Sequence, residues 1–166
     1  GTMSSGPENR FIQAVHRLLP CRVYRLKNHN PYVGGVADCW YSGDAGDLWV
    51  EYKFLSLPKR SSTIVNLYGA DKSPLSTLQE EWLRGRHREG RNVGVIIGTP
   101  DGGLWLPGVT WEKPLSSAEC ASRLLSKTRV AEVITNAVCL TSTPPGLSVA
   151  RMPKISAQPQ IRKSNS

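Results

Sequence analysis

Apolar residues along this chain fall into runs whose period switches from helical to extended and back. Phe11, Ile12, Val15, Leu18 and Leu19 recur at helical spacing until Pro20 stops them. Ser5 is placed to cap that helix, Pro7 suits its first turn, and Glu8 stands three residues after the serine, as a reciprocal cap requires. Residues 21–26 alternate and predict a strand. Two aromatic-rich runs, 36–41 and 48–54, flank the turn-forming stretch Ser42-Gly43-Asp44-Ala45-Gly46-Asp47 and predict a β-hairpin. Residues 55–74 make a long, polar, basic connection around Ile64, Val65, Leu67 and Tyr68. Such connections are functional or disordered inside compact domains, and a substrate-facing loop, mobile without nucleic acid, is expected here. Helical character resumes over 76–89, with Leu78, Trp82, Leu75 and Gly85 as the inward stripe and Gly90 placed to end the run. Residues 93–98 are almost continuously apolar and bounded by glycines, as a central buried strand is. A turn at 99–103, a returning strand at 104–106, a helix capped by Ser116 or Ser117 and running to about Lys127, and an apolar segment at 130–140 complete the pattern. The order α-β-β-β-α-β-β-α-α predicts an α/β fold, a mixed central sheet flanked by helices.

A chain of 166 residues suits one domain with a sizeable core. Composition changes at Thr141 towards Pro, Ser, Gln and basic residues, so 5–140 reads as the folded domain and 141–166 as a disordered tail. Gly1-Thr2-Met3 reads as a vector-derived remnant, which leaves 1–4 as a disordered start. The four cysteines show no Cys-x-x-Cys spacing, and reduced, buried thiols are expected. No run approaches transmembrane length and no signal peptide is visible; the expectation is a cytoplasmic protein, in the host cell if viral, with no membrane partner.

Twenty-one Lys and Arg against 13 Asp and Glu give a net charge of +8. Clustered positive charge is the footprint of phosphate-backbone binding, although a solvated basic surface carries the same signal; it is the acidic constellation in the hairpin that makes DNA the expected partner. The densest cluster is Arg84, Arg86, His87, Arg88 and Arg91, although arginines in a last helical turn also complement the helix dipole. Arg22, Arg25, Lys27 and His29 precede the hairpin and Lys59 and Arg60 follow it, all as candidate nucleic-acid contacts, with a solvated loop His as the plainer reading of His29. Tyr32 is a further candidate for stacking on a base. No glycine-rich phosphate loop or zinc signature appears, and no small-molecule cofactor is expected.

The chemistry concentrates in the hairpin. Side chains two apart in a strand share a face, so Glu51 and Lys53 point one way while Val50, Tyr52 and Phe54 point the other. Asp38, on the neighbouring strand, is placed to approach Glu51 across the ladder. Paired carboxylates on a strand otherwise fit for burial are costly unless something compensates. Mg²⁺ would, since it takes hard oxygen ligands from one or two carboxylates plus substrate phosphates. Two other readings stand beside this one: a non-catalytic nucleic-acid-binding module, and a structural protein in which Glu51 and Lys53 merely form an ion pair on a wet sheet face.

Asp38, a gap of 12 residues and Glu51-x-Lys53 resemble the active-site signature of the PD-(D/E)XK nuclease superfamily, with Ala37 where the family carries proline. Gly34-Gly35-Val36-Ala37 resembles that family's loop into the first catalytic strand. Residues 75–83 and 90–97 resemble its Ser, Gln, helix, Gly, strand continuation, most like the virus-type replication-repair (VRR-NUC) and phage Holliday-junction nuclease branches. The likeness spans roughly residues 5 to 98. It implies a restriction-endonuclease-like core and a Mg²⁺-dependent DNA endonuclease, with Mn²⁺ able to substitute. It also implies Asp38, Glu51 and the Tyr52 carbonyl as metal ligands, Lys53 at the water or the phosphate, and Glu8 and Gln79 as supporting catalytic residues. Selectivity for branched, nicked or single-stranded DNA, a homodimer and a phage origin follow from the same resemblance.

Overall fold

Five strands build the sheet that carries the hairpin. In the computed structural model, which describes residues 6–29 and 34–140, the chain enters through α1 (Pro7–Arg17) and then forms β1 (Tyr24–Lys27), β2 (Cys39–Gly43) and β3 (Gly46–Phe54). A two-residue β4 (Ile64–Val65) and α2 (Thr77–Arg88) lead to β5 (Val93–Thr99) and β6 (Gly102–Pro107). A 3₁₀ turn (Thr110–Glu112), β7 (Leu115–Ser116), α3 (Ser117–Ser122) and α4 (Lys127–Val138) follow. The sheet order is β1-β2-β3-β5-β6, antiparallel except for the parallel β3–β5 pair, and β4 pairs only with β7. This is the mixed central sheet with flanking helices that the pattern predicts. The β3–β5 pair needs a long crossover, and residues 55–92 supply it.

Alternation along the strands sorts the core into two layers. Tyr41, Val50, Tyr52 and Ile96 meet Phe11, Ile12 and Val15 of α1 and Val130, Ile134 and Val138 of α4. Val95, Ile97, Leu104 and Leu106 meet Leu83 of α2 together with Leu67, Leu75, Trp111 and Leu115. β5 is buried along its whole length, as its unbroken apolar run predicts.

Several boundaries differ from expectation. Gly6, not Ser5, is the N-cap of α1, and no side chain caps that helix, so Glu8 is not a reciprocal cap. The helix ends at Arg17, which leaves Leu18 as an exposed C-cap. Strand β1 begins at Tyr24, because residues 21–23 are still turning. The hairpin turn is only Asp44-Ala45: the ladder continues through Ser42 and Asp47, where Ser42 Oγ donates to Asp47 Oδ1 at 2.6 Å. On α2 the inward stripe is Glu80 and Leu83 with half-buried Gln79 and Trp82, whereas Leu78 is 57% exposed. Gly90 ends α2 as expected: at φ +84 its N–H reaches the His87 carbonyl and the next N–H, of Arg91, reaches that of Arg86.

The 55–74 connection is fastened rather than loose. β4 pairs with β7, Leu67 and Leu75 are buried, the Leu75 N–H donates to the Leu67 carbonyl at 3.0 Å, and the Tyr68 ring meets Trp111 edge-on. The helix expected to reach Lys127 stops at Ser122, and Lys127 instead opens α4, capped by Ser126. The four cysteines are free thiols, three of them buried and Cys21 exposed. Among the described residues no helix is long and apolar enough to cross a membrane. The readings of residues 1–5, of Tyr32 and of the 141–166 tail fall outside the described residues.

Candidate active site

The hairpin register places the carboxylates. Cys39 pairs with Val50, so Asp38, in the bend just before β2 rather than inside the strand, stands opposite Glu51. Its Oδ2 accepts the Tyr52 backbone N–H at 2.9 Å, which ties the entry of β2 to the middle of β3. Its own carbonyl accepts the Asn28 N–H at 2.6 Å, so β1, β2 and β3 converge on this residue.

Glu51 is 1% exposed on the sheet face that α2 covers. Oε2 accepts from Gln79 Nε2 at 3.0 Å and lies 3.6 Å from Lys53 Nζ. Oε1 is buried and meets no hydrogen-bond donor among the described residues; a bond between Glu51 and Asp38 forms only when one of the two carboxyls is protonated. Burial, and then the Asp38 carboxylate, push the Glu51 pKa up to about 9; the lysine only partly offsets them. Glu8, on the first turn of α1, is also held above the usual carboxylate range, by burial first and then by Asp38, while Lys53 and Lys27 pull it down. It therefore faces the same electrostatic centre. Among the described residues, however, no group of three or more His, Cys, Asp and Glu side chains is disposed as a metal site, so Glu8 does not complete a three-carboxylate cage.

Gln79 is held from both ends of its amide. Its Oε1 accepts the Ser76 N–H at 3.0 Å while Ser76 Oγ accepts the Gln79 N–H at 3.2 Å, a capping box that starts α2. Its Nε2 is thereby aimed at Glu51. The Ser76-x-x-Gln79 spacing is the sequence signal that would have revealed this cap. Glu80, a neighbour that sequence reasoning passed over, accepts the Gly69 N–H at 3.2 Å and pairs with Arg84 at 3.3 Å, tying the 55–74 connection to α2. A cavity of about 560 Å³ opens beside Lys53, bounded by Gly69–Asp71, Ser73–Thr77, Gln79 and Glu80.

Behind Tyr52 lies a chain of polar groups in the other layer. Its hydroxyl meets that of Tyr41 at 2.7 Å, and Tyr41 meets His16 Nε2 at 2.7 Å. Burial, then Arg25 and Lys27, lower the His16 pKa to about 4, so it is neutral at physiological pH. Tyr52 thus fixes the strand from both sides, through its N–H and through its ring.

The basic residues are scattered more widely than the carboxylates. Arg25 and Lys27 lie on the opposite face of β1 from Leu26, next to His16 and, for Lys27, Glu8. Arg22, His29, Lys59 and Arg60 are exposed, the last two near the turn that α3 fastens through the Ser61 and Thr63 carbonyls. Arg84 differs from expectation: it is ion-paired with Glu112 and Glu80, and its guanidinium stacks 5.4 Å from Tyr68 and 5.0 Å from Trp111. Those contacts turn two of its five N–H donors inward to the fold. Arg86 pairs with Glu89 and lies 6.0 Å over Trp82; Arg88 and Arg91 are exposed.

No family model matches the chain, and no curated protein does. Among solved structures it is similar to that of Hjc from Archaeoglobus fulgidus, a Holliday junction resolvase from an archaeal hyperthermophile, at 15% identity and a TM-score of 0.48, over 75% of this chain and 96% of that one.

Proposed function

We propose that this protein is a divalent-metal-dependent DNA endonuclease that hydrolyses phosphodiester bonds in branched, nicked or single-stranded DNA. The observation that carries this reading is Glu51: a carboxylate sealed inside the sheet, opposite a second carboxylate, with one oxygen left without a partner. Such a group is costly to bury ionised, and a divalent cation offsets that cost. Two carboxylates suit Mg²⁺, which is commonly held by one or two protein carboxylates with waters and substrate phosphates filling the other positions; Mn²⁺ shares this oxygen chemistry.

Asp38 and Glu51 would hold the cation, with the Tyr52 carbonyl as a third oxygen. A cation held there would supply a water of lowered pKa and offset charge on the scissile phosphate. The protein supplies the rest. Gln79 fixes the rotamer of Glu51 through one hydrogen bond. Tyr52 N–H holds Asp38 in the facing position. Lys53 directs its ammonium to the rim of the cavity, where it orients the attacking water or grips a phosphate oxygen. Glu8 adds negative potential from α1. The +8 charge draws the polyanion to an otherwise acidic centre. With a single such centre among the described residues of each chain, simultaneous cutting of two strands of a junction calls for a homodimer.

A cleavage assay tests the reading. Supercoiled plasmid, single-stranded DNA and a four-way junction are incubated with Mg²⁺, Mn²⁺ or EDTA, alongside the Lys53→Ala and Asp38→Ala variants. Cutting in Mg²⁺ and Mn²⁺ that is absent in EDTA and in both variants is expected. DNA that is retarded yet uncut in every lane would make the protein a binding module.

A further inference from the structure

The face that carries Glu51 and Lys53 does not end at the carboxylates. The ladders set Leu26 beside Trp40 and Trp40 beside Trp49, so these three side chains stand in one row across β1, β2 and β3 on the carboxylate face. The row continues into α2, where Trp82 meets Trp49 edge-on with ring centroids 5.5 Å apart and the Arg86 guanidinium lies 6.0 Å over Trp82. Trp40 and Trp49 are each two residues from a carboxylate, Asp38 and Glu51 respectively, about 7 Å along their strands.

Helix α2 covers only the inner part of this face. At the β1 end Tyr24 is 69% exposed and Leu26 62% exposed. Trp40, half-buried, is held in orientation because its indole N–H donates to Asp47 Oδ2 at 3.2 Å, and Ser42 holds that carboxylate in turn. A partly open indole held by Asp47, with an exposed tyrosyl on the same face diagonal to it across the β1–β2 ladder and a guanidinium at the far end of the row, offers flat faces to planar partners at little ordering cost. The net charge of +8 favours a polyanion over a neutral protein surface. We infer that the open face of β1 and β2 is a stacking platform for the bases of an unpaired DNA strand leading to the Asp38–Glu51 centre. The strand's destination rests on the nuclease reading; the platform itself does not. A base pair inside a duplex hides its faces, so this surface recognises unpaired bases specifically.

The test measures binding without cleavage. Fluorescence anisotropy in EDTA gives the Kd of labelled oligothymidylate, and of a duplex of equal length, for the intact protein and for Trp40→Ala, Trp40→Phe and Tyr24→Ala. Tyr24 is exposed enough that its replacement leaves the fold intact, and melting curves check each variant. Trp40→Ala and Tyr24→Ala are each expected to weaken oligothymidylate binding about tenfold. Trp40→Phe, which keeps a ring, recovers most of it, and duplex binding stays the same throughout. The dependence on salt is unchanged, because no phosphate contact is removed. Equal oligothymidylate affinity in all variants overturns the inference. So does a dimer, seen by sedimentation, that Leu26→Ser splits without altering that affinity; the face would then belong to a second copy. A protein that cuts DNA yet shows no loss in Trp40→Ala retains the nuclease reading alone. One that never cuts yet loses oligothymidylate binding retains the platform alone.

Discussion

Replacing Glu51 by Gln isolates the electrostatic cost on which the metal reading stands. The folded protein holds this carboxyl at about 9, against 4.5 for an ordinary glutamate. Below 4.5 both folded and unfolded chains are protonated, and the group imposes no penalty. As the pH climbs from 4.5 towards 9, the unfolded chain releases a proton that the folded one keeps, so stability falls across that window. The loss amounts to on the order of 2–3 kcal/mol between pH 6.5 and 8.5. His16 has the opposite sign: its pKa is lowered from 6.5 to about 4, so it removes stability only as pH falls below 6.5, outside this interval. Glu8, also raised, acts in the same direction as Glu51. Urea titrations in EDTA at pH 6.5, 7.5 and 8.5 are expected to show the native protein weakening steadily, by on the order of 2–3 kcal/mol in all. The Gln variant, which cannot titrate, shows a much flatter dependence. Saturating Mg²⁺ then restores the native protein at pH 8.5 by mass action and leaves the variant unchanged. Parallel pH profiles for the two proteins would refute the argument, since Glu51 would then be ionised at neutral pH without a cation, as an ordinary ion-pair partner of Lys53.

Arg84→Ala is expected to lower the melting temperature by removing two carboxylate partners and two aromatic contacts, while Arg88→Ala and Arg91→Ala leave stability alone and reduce the salt dependence of DNA binding; filter binding against salt separates the two classes. Gly94→Ala places a methyl 2.4 Å from the Trp105 ring and 2.9 Å from the Leu106 carbonyl, so chemical denaturation is expected to show a loss of about 1–3 kcal/mol, and an unchanged midpoint would show that the two strands can part. One thiol of four, Cys21, is expected to react rapidly with an aromatic disulfide reagent in the native protein, because Cys39, Cys120 and Cys139 are buried and desolvation raises the Cys39 thiol to about 12.

Local physics made part of this molecule readable from residue order. A period of two along β3 assigns Glu51 and Lys53 to one face whatever packs above them. The hairpin composition between them and Asp38 limits the partner strand to an antiparallel neighbour, and the glycine after residue 89 stops α2 because the backbone there turns left-handed. An unbroken apolar run could serve only as a strand covered on both faces. Helix rotation was less legible. Leu78 follows helical spacing with Trp82 as well as Gln79 does with Leu83, and only the crossover from β3 to β5 decides that Leu78 turns outward while Gln79 turns in. Ser5 made a plausible cap on paper because the residues that surround Glu8 are distant in sequence.

What residue order determined, then, is the identity and facing of the carboxylate–lysine set, since these depend on strand alternation and a short turn. The tertiary structure decided the rest, because each remaining feature is a meeting of segments far apart in the chain. It put Gln79 on Glu51 across 28 residues and left Glu51 Oε1 without a partner. It folded Arg84 between Tyr68 and Trp111, joined β4 to β7, and lined up Leu26, Trp40, Trp49 and Trp82 across one face. Burial is a property of the assembled layers, and burial is what turns an ordinary glutamate into a group held near 9.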